Sequence, residues 1–411
     1  MSRIAPPPLP RSPFWQTKST ETPATSDNAH SGGSAGDYAA VDYAAIVQSV
    51  HGFVVRDVMP HLESWEQQGF LPDAIYRKAA AVGLIPLGYP EQYGGVPCNA
   101  FARIASTRAL CEAGSGGLFA GLLSHGIALP PLLALGSDDL CQRIAPSVLN
   151  GTAKMALAVT EPTGGSDVAN LRTTAVLDGD HYVVNGDKAF ITTGMRADWL
   201  TVAVRTGEKG AGGVSLLMVE GDRVGIGKTA LNKMGWLCSD TALLHFDNVR
   251  VPASHLVGGE GLGFLGLMHN FNSERLGLAS LAWGMAEVCW TDAVDWARSR
   301  ETFGKPLVTR QVIRHKLVDL RSRIDAVRCV LEQVAWRIDQ GDEPVAEVCM
   351  LKNQATATLE HVAGEVVQIL GGAGYIRGCR AERIFRETKV LSIGGGASEV
   401  LADLAARQLG F

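Results

Sequence analysis

The chain has 411 residues, enough for about two to four domains of ordinary size. Lys and Arg number 37 against 42 Asp and Glu, a formal charge of −5, which argues against nucleic acid or an anionic membrane as partner. Apolar residues make up 46% and charged ones 19%, which excludes disorder for most of the length.

Residues 1–37 carry Pro6, Pro7, Pro8, Pro10, Pro13 and Pro23 and then a Ser/Thr/Gly stretch, the composition of a disordered extension. No apolar signal core follows the first basic residues, so secretion is not expected. Gly32, Ser34 and Gly36 spell a nucleophile-elbow pattern, but without a strand before it or a helix after it the match is fortuitous. Residues 38–153 read as a helical domain, beginning with an apolar stripe at Ile46, Val47, Val50, Val54 and Val58 that Pro60 stops. The charge-poor run 113–137 has the length of a membrane span. Ser124, His125, Pro130, Pro131 and its glycines instead predict buried helices joined by a turn, with no membrane span.

From 154 to 257 the pattern becomes short strands, with hairpin signals at Asp178-Gly179 and Asn185-Gly186. Residues 258–411 return to helices, expected at Leu265–Arg300, Gln311–Gln340, Val345–Leu370 and Ser398–Leu409. The fold class is therefore α+β multidomain: an N-terminal helical domain, a middle antiparallel β-barrel or sandwich, and a C-terminal four-helix bundle. Gly261, Gly263 and Gly266 form G-x-G-x-x-G, but the antiparallel sheet and Pro252 before them favour a flexible interdomain link over a dinucleotide fingerprint. The eight cysteines show no C-x-x-C and no histidine at ligand spacing. They read as reduced thiols of a cytoplasmic-type compartment, with no metal site.

Four segments carry candidate chemistry. TEPTGGSD (Thr160–Asp167) offers hydroxyls and backbone N–H groups that could cradle a phosphate, or form only a polar turn. FITTG (Phe190–Gly194) could present a ring to a planar cofactor, with Thr192 at its edge, or place Phe190 in the core. Glu274 shares a helical stripe with Phe271, Leu278, Leu281 and Met285, where desolvation would raise its pKa toward that of a general base; the alternative is a solvated or arginine-paired carboxylate. Gly394, Gly395 and Gly396 precede the last helix and allow close backbone approach.

Together, LAVTEPTGGSDVANLRT, VVNGDKAFITTG, MGWLCSDTALLHFDNVRVP, SRETFGKPLVTRQ and VVQILGGAGY with its final IGGGASEV resemble the acyl-CoA dehydrogenase family, in order and from about residue 40 onward. The resemblance implies FAD as cofactor, held at the contacts of a homo-oligomer (tetramer or dimer). It puts Thr160 and Ser166 on the flavin and its pyrophosphate, Phe190 against the isoalloxazine and Thr192 near its N5. Arg300, Gln311 and Gln368 to Gly372 would reach the FAD of a neighbouring subunit, and Glu399 would lie beside the adenine half. Many members keep the catalytic glutamate in a C-terminal Y-E-G-T, where this chain has Gly394-Gly395-Gly396-Ala397. A smaller branch, including isovaleryl-CoA and long-chain enzymes, supplies it from an E-R pair that matches Glu274-Arg275.

The implied reaction is α,β-dehydrogenation of an acyl thioester. Glu274 would take the α proton, hydride would pass to flavin N5, and the Gly395 N–H would face the developing oxyanion. Substrate contacts would come from Ser166, Asn272 and Arg275, with Asn272 replacing a frequent aspartate that contacts the pantetheine arm. The partners implied are acyl-CoA or an acyl-carrier-protein thioester, and electron-transfer flavoprotein or another acceptor. Three alternatives stay open: an acyl- or aminoacyl-carrier-protein dehydrogenase, a flavin monooxygenase on the same scaffold, and a non-catalytic flavin-binding protein.

Overall fold

The computed structural model describes residues 42–411; the expected N-terminal extension and its nucleophile-elbow match lie outside the described residues. Helix α1 (Tyr43–Phe53) runs directly into a π-helical turn at Val54–Val58, which keeps Val50, Val54 and Val58 buried on one side until Pro60 ends the run. Next come α2 (Leu62–Gln68), α3 (Asp73–Ala81) and α4 (Ala100–Leu110); the Asn99 side chain caps α4 by accepting from the Ala102 N–H at 2.9 Å. The long apolar run becomes α5 (Gly116–Leu122), capped by Ser115, and α6 (His125–Leu135), with a turn at Leu123-Ser124. Leu118 and Leu122 fill one core and Leu129 and Leu132 another, so both helices are spent on packing. Helix α7 (Asp138–Leu149) closes this region.

Seven strands follow: β1 (Met155–Ala158), β2 (Thr174–Asp178), β3 (His181–Thr192), β4 (Trp199–Arg205), β5 (Val214–Glu220), β6 (Ile226–Ala230) and β7 (Thr241–Pro252). They form one sheet in the order β1-β4-β2-β3-β7-β6, with β5 on β4. The β2–β3, β3–β7, β6–β7 and β4–β5 pairs are antiparallel, whereas β4 takes β1, and β2 at a single residue pair, in parallel. The result is a half-barrel. Its concave core holds Val184, Leu200, Val202, Leu217, Leu244 and Phe246, while Ala203, Leu216 and Met218 on the other face of β4 and β5 pack against α6 and α7. Burial on both faces explains why β4 and β5 read as continuous apolar runs, and burial on one face only explains the alternation of β7.

One hairpin expectation is corrected. The turn between β2 and β3 falls at Gly179 (φ +64), but Asn185-Gly186 lies inside β3 as a bulge, with Gly186 at φ +143. There a Cβ would meet the Thr173 Cα at 2.7 Å, and Asn185 accepts from the Asn248 N–H at 2.8 Å, so the strand is pinned instead of turned.

The remainder is helical: α8 (Gly263–Ser299), a two-residue hairpin β8 (Glu301–Thr302) and β9 (Lys305–Pro306), α9 (Gln311–Asp339), α10 (Val345–Leu370), the single turn α11 (Gly372–Tyr375), α12 (Arg380–Leu391) and α13 (Ser398–Gln408). At 37 residues, α8 spans about 55 Å and is the spine of the bundle. It runs antiparallel to α9, with Trp290 donating to the Leu317 carbonyl and Arg321 to Glu287; α9 in turn is antiparallel to α10 through Asp319–His361.

Sequence patterning missed α12, whose inner face mixes buried Ala381, Ile384 and Leu391 with buried charged residues. Arg383 reaches Glu63, and the buried Glu387 accepts the Gly116 N–H at 2.7 Å and the Trp236 N–H at 3.2 Å, tying α12 to α5 and to the β6–β7 loop. Burial and the nearby Glu66 push Glu387 up to about 8.

The G-x-G-x-x-G segment is also not the flexible link expected. A Cβ on Gly263 would meet the Ser215 carbonyl carbon at 2.6 Å, and one on Gly266 the Leu135 Cδ1 at 2.8 Å, so the glycines seat α8 on β5 and α6. Gly263→Ala is therefore expected to cost about 1–3 kcal/mol by overpacking. Gly52→Ala in α1, where nothing stands within 4 Å, should be neutral or stabilising by up to about 1 kcal/mol. Thermal unfolding of the two variants checks both.

Candidate active site

Two structures meet the description of a site, one on the sheet and one on α8. On the sheet, Lys188 is fully buried and donates to Glu161 Oε1 at 2.9 Å and to the Val159 carbonyl at 3.1 Å. The Glu161 carboxylate also accepts the Arg172 and Thr173 N–H groups at 2.6 and 2.8 Å. Burial pulls the Lys188 ammonium down to about 8. Glu161 is desolvated too, but Lys188 and the Thr173 donors outweigh that and hold it below the ordinary carboxylate range. This ion pair anchors the base of the TEPTGGSD loop, whose residues Pro162–Asp167 are exposed. Reciprocal Glu161–Gly164 backbone bonds shape the loop, and a Cβ at Gly164 would have nothing within 4 Å.

The Ala189 N–H donates to the Thr160 carbonyl at 2.8 Å, which brings FITTG alongside that loop. A register shift between Lys188 and Ile191 puts Phe190 at φ +60 and turns its ring outward, 68% exposed. The core alternative for Phe190 is thus excluded. Thr192 continues the strand opposite Thr241, and Thr193, also at positive φ, has a buried hydroxyl with no hydrogen-bond partner. An exposed aromatic at positive φ next to an open donor-rich loop is an arrangement that could receive a planar ligand.

On α8, Glu274 is part-buried on a stripe with Leu278, Leu281 and Met285, all buried. Its carboxylate faces the glycine loop: a Cβ built on Gly395 would stand 3.5 Å from Glu274 Oε1 and would collide with Leu278 Cδ1. Gly395 and Gly396 have φ of +66° and +103°, so only glycine permits both the conformation and the approach. Burial raises Glu274 to about 7, against the opposing pull of Arg275 and Lys352. A carboxylate titrating near neutrality, on a rigid helix and against a bare backbone, is equipped to take a proton from carbon.

Models of the acyl-CoA dehydrogenase N-terminal, middle and C-terminal domains match residues 41–152, 156–249 and 261–410. The chain belongs to the acyl-CoA dehydrogenase family. Cyclohexane-1-carbonyl-CoA dehydrogenase of Geobacter metallireducens is 33% identical over 89% of this chain and 96% of its own. The structure of a probable acyl-CoA dehydrogenase from Mycobacterium abscessus superposes with a TM-score of 0.88 at 47% identity, covering 89% of this chain and 98% of that one. A glutaryl-CoA dehydrogenase from Mycobacterium smegmatis, in complex with FADH2, gives 0.84 at 25% identity over 90% and 94%. As a family member the protein is a flavin-dependent oxidoreductase.

The remaining expected residues of this acyl-CoA dehydrogenase fall in three places. Glu399 is exposed in the first turn of α13, next to the glycine loop. Arg275 is buried, with Nη1 donating to Asn272 Oδ1 at 3.2 Å and its guanidinium 5.5 Å from the centre of the Phe271 ring. Ser166 is exposed on the sheet loop. Arg300, Gln311, Gln368 and Gly372 gather at the opposite end of the bundle, exposed around the β8–β9 hairpin and the end of α10. Gln368 lies about 24 Å along α10 from Lys352, which neighbours Glu274, so this group does not serve the same pocket as the carboxylate.

Sequence reasoning passed over Lys188, Glu161, Thr193 and Lys352. A lysine as the one charge in an otherwise uncharged stretch, as in VCMLKNQATA, was the available signal. Lys188→Met leaves Glu161 buried without its cation, a loss of about 3–5 kcal/mol for such pairs. The variant is expected to purify with most of its flavin missing and a lowered melting temperature, measured by flavin absorbance per protein and by thermal unfolding.

Proposed function

We propose that the protein dehydrogenates a saturated acyl-CoA thioester between its α and β carbons, with Glu274 as the base. The observation that carries this is the part-buried Glu274 carboxylate set against Gly395 and raised to about 7. Abstraction of an α proton needs a base strong enough to take it yet appreciably ionised at working pH, and a carboxylate raised to this range meets both demands. Gly395 leaves the loop backbone bare at the base, where its N–H can face the thioester oxygen as charge develops.

The residues present suit FAD. Thr160, Ser166, Phe190 and Thr192 would hold it on the exposed sheet loop and strand, with Glu399 toward the adenine half. When bound it supplies the acceptor for the β hydride. Arg300, Gln311, Gln368 and Gly372, too distant for the same pocket, suit the flavin of a second subunit and so a homo-oligomer. Electron-transfer flavoprotein is the acceptor we expect to reoxidise the enzyme. Gly277, almost one turn beyond Glu274, has nothing within 4 Å of where a Cβ would stand, which leaves room for the acyl chain beside the base.

The test is anaerobic bleaching of the flavin by butyryl-, octanoyl-, palmitoyl-, isovaleryl- and cyclohexane-1-carbonyl-CoA, with a carrier-protein-linked acyl group alongside. At least one CoA ester should bleach it, and bleaching by the carrier-linked group alone would overturn the choice of CoA. Glu274→Gln should retain FAD and lose roughly 10²–10⁴-fold in bleaching rate. In the unaltered enzyme the rate should rise with pH through about 7, as the base ionises. Stability should respond with the opposite sign. The folded protein holds the Glu274 proton up to about 7 while the unfolded chain releases it near 4.5, so stability falls as pH rises between them. Glu274→Gln should therefore melt higher than the parent above neutral pH and lose that advantage in acid.

A further inference from the structure

Helix α10 buries a lysine completely. Lys352 is 0% exposed, on a stripe with Val348, Cys349, Ala355 and Thr356. An ammonium in such a place needs partners. It donates to the Gly396 carbonyl at 2.8 Å, and the next residue, Asn353, donates to the Ser398 carbonyl at 2.8 Å. Two consecutive side chains of α10 thus grip the glycine loop and the start of α13. On its other side the same loop leans on Leu278 and Glu274.

An uncharged donor would suffice for the loop; Asn353 shows as much one residue away. The extra property of Lys352 is its charge. The charged groups acting on Glu274 are Arg275 of α8 and Lys352 of α10. Those acting on Lys352 are Glu274, Arg275, Cys349 and Glu399. The hydrogen bonds of both go to neutral oxygens, Arg275 to Asn272 Oδ1 and Lys352 to the Gly396 carbonyl, so neither charge is compensated by contact; Lys352 differs in also holding the glycine loop.

We infer that Lys352 is a positioning residue for this reaction: one buried ammonium holds the Gly394–Gly396 loop against Glu274 and gives the base a cation from the facing helix. The inference rests on the reading of Glu274 as base. Burial drives Glu274 upward and Lys352 opposes it, so removing the lysine charge moves the carboxylate further up and shifts the active pH range to the alkaline side.

Lys352→Gln keeps a donor for Gly396 without the charge, and Lys352→Met keeps neither. Both are followed by anaerobic flavin bleaching from about pH 6 to about pH 9, using the CoA ester that reduces the parent fastest. The pH midpoint should rise by about one unit in both. The limiting rate at high pH should fall at least about tenfold further in Lys352→Met than in Lys352→Gln, because the loop loses its tie. Unmoved midpoints in variants that hold FAD overturn the inference, and so does failure of both variants to hold FAD, which would make the lysine purely structural. Glu274→Gln run in parallel separates the two ideas. If it still bleaches, the base reading itself is wrong; if it is dead and the midpoints have not moved, only the role of Lys352 falls.

Discussion

A carboxylate drawn out of water beside two cations is the constraint on which the proposed reaction depends. As the proposed base, Glu274 would be protonated and inert at neutral pH if buried further, and a weak base if its cations acted on it more strongly. Holding it near 7 requires that the distances to Arg275 and Lys352 stay fixed. The architecture can be understood as the means of fixing them. Helix α8 is clamped at its start by glycines that fit against β5 and α6, and along its length by α9 and α10. Helix α10 then holds, through Lys352 and Asn353, the glycine loop that Glu274 faces.

The same device occurs twice. Lys188 inside the half-barrel and Lys352 inside the bundle are both fully buried, both pulled down to about 8 by burial, and both tie down an exposed or glycine-rich loop from behind. Such ties are poor sources of net stability, because desolvation offsets most of the attraction. Their contribution is geometric. A loop that must stay open on one side for a ligand cannot be packed from that side, so its order has to come from beneath.

Much of this could be read from the residues. Strand alternation in TALLHFDNVRVP and the absence of proline from Leu265 to Arg300 marked the sheet and the long helix, and the stripe containing Leu278, Leu281 and Met285 singled out Glu274. What escaped had a physical reason. Helix α12 buries Ala381, Ile384 and Leu391 but interleaves them with Arg383 and Glu387, which are satisfied by Glu63 and by backbone N–H groups remote in sequence, so its short apolar stripe did not stand out. Asn185-Gly186 has the chemistry of a hairpin but is held as a bulge by Thr173 and Asn248, and the glycines at 261, 263 and 266 look like flexibility until their neighbours are known. In each case the deciding partner is a long-range one, and local pattern cannot supply it.

The outward ring of Phe190 has a consequence for the life of the protein outside its reaction. A bare aromatic on a strained backbone, beside a buried Thr193 hydroxyl that lacks a partner, is a surface that the folded chain cannot finish alone. A cofactor that covers it binds the folded state and not the unfolded one, so by mass action each tenfold rise in free flavin above its dissociation constant adds about 1.4 kcal/mol to apparent stability. With flavin as that cofactor, the apo chain would be the less stable form and the one that opens more readily to proteolysis.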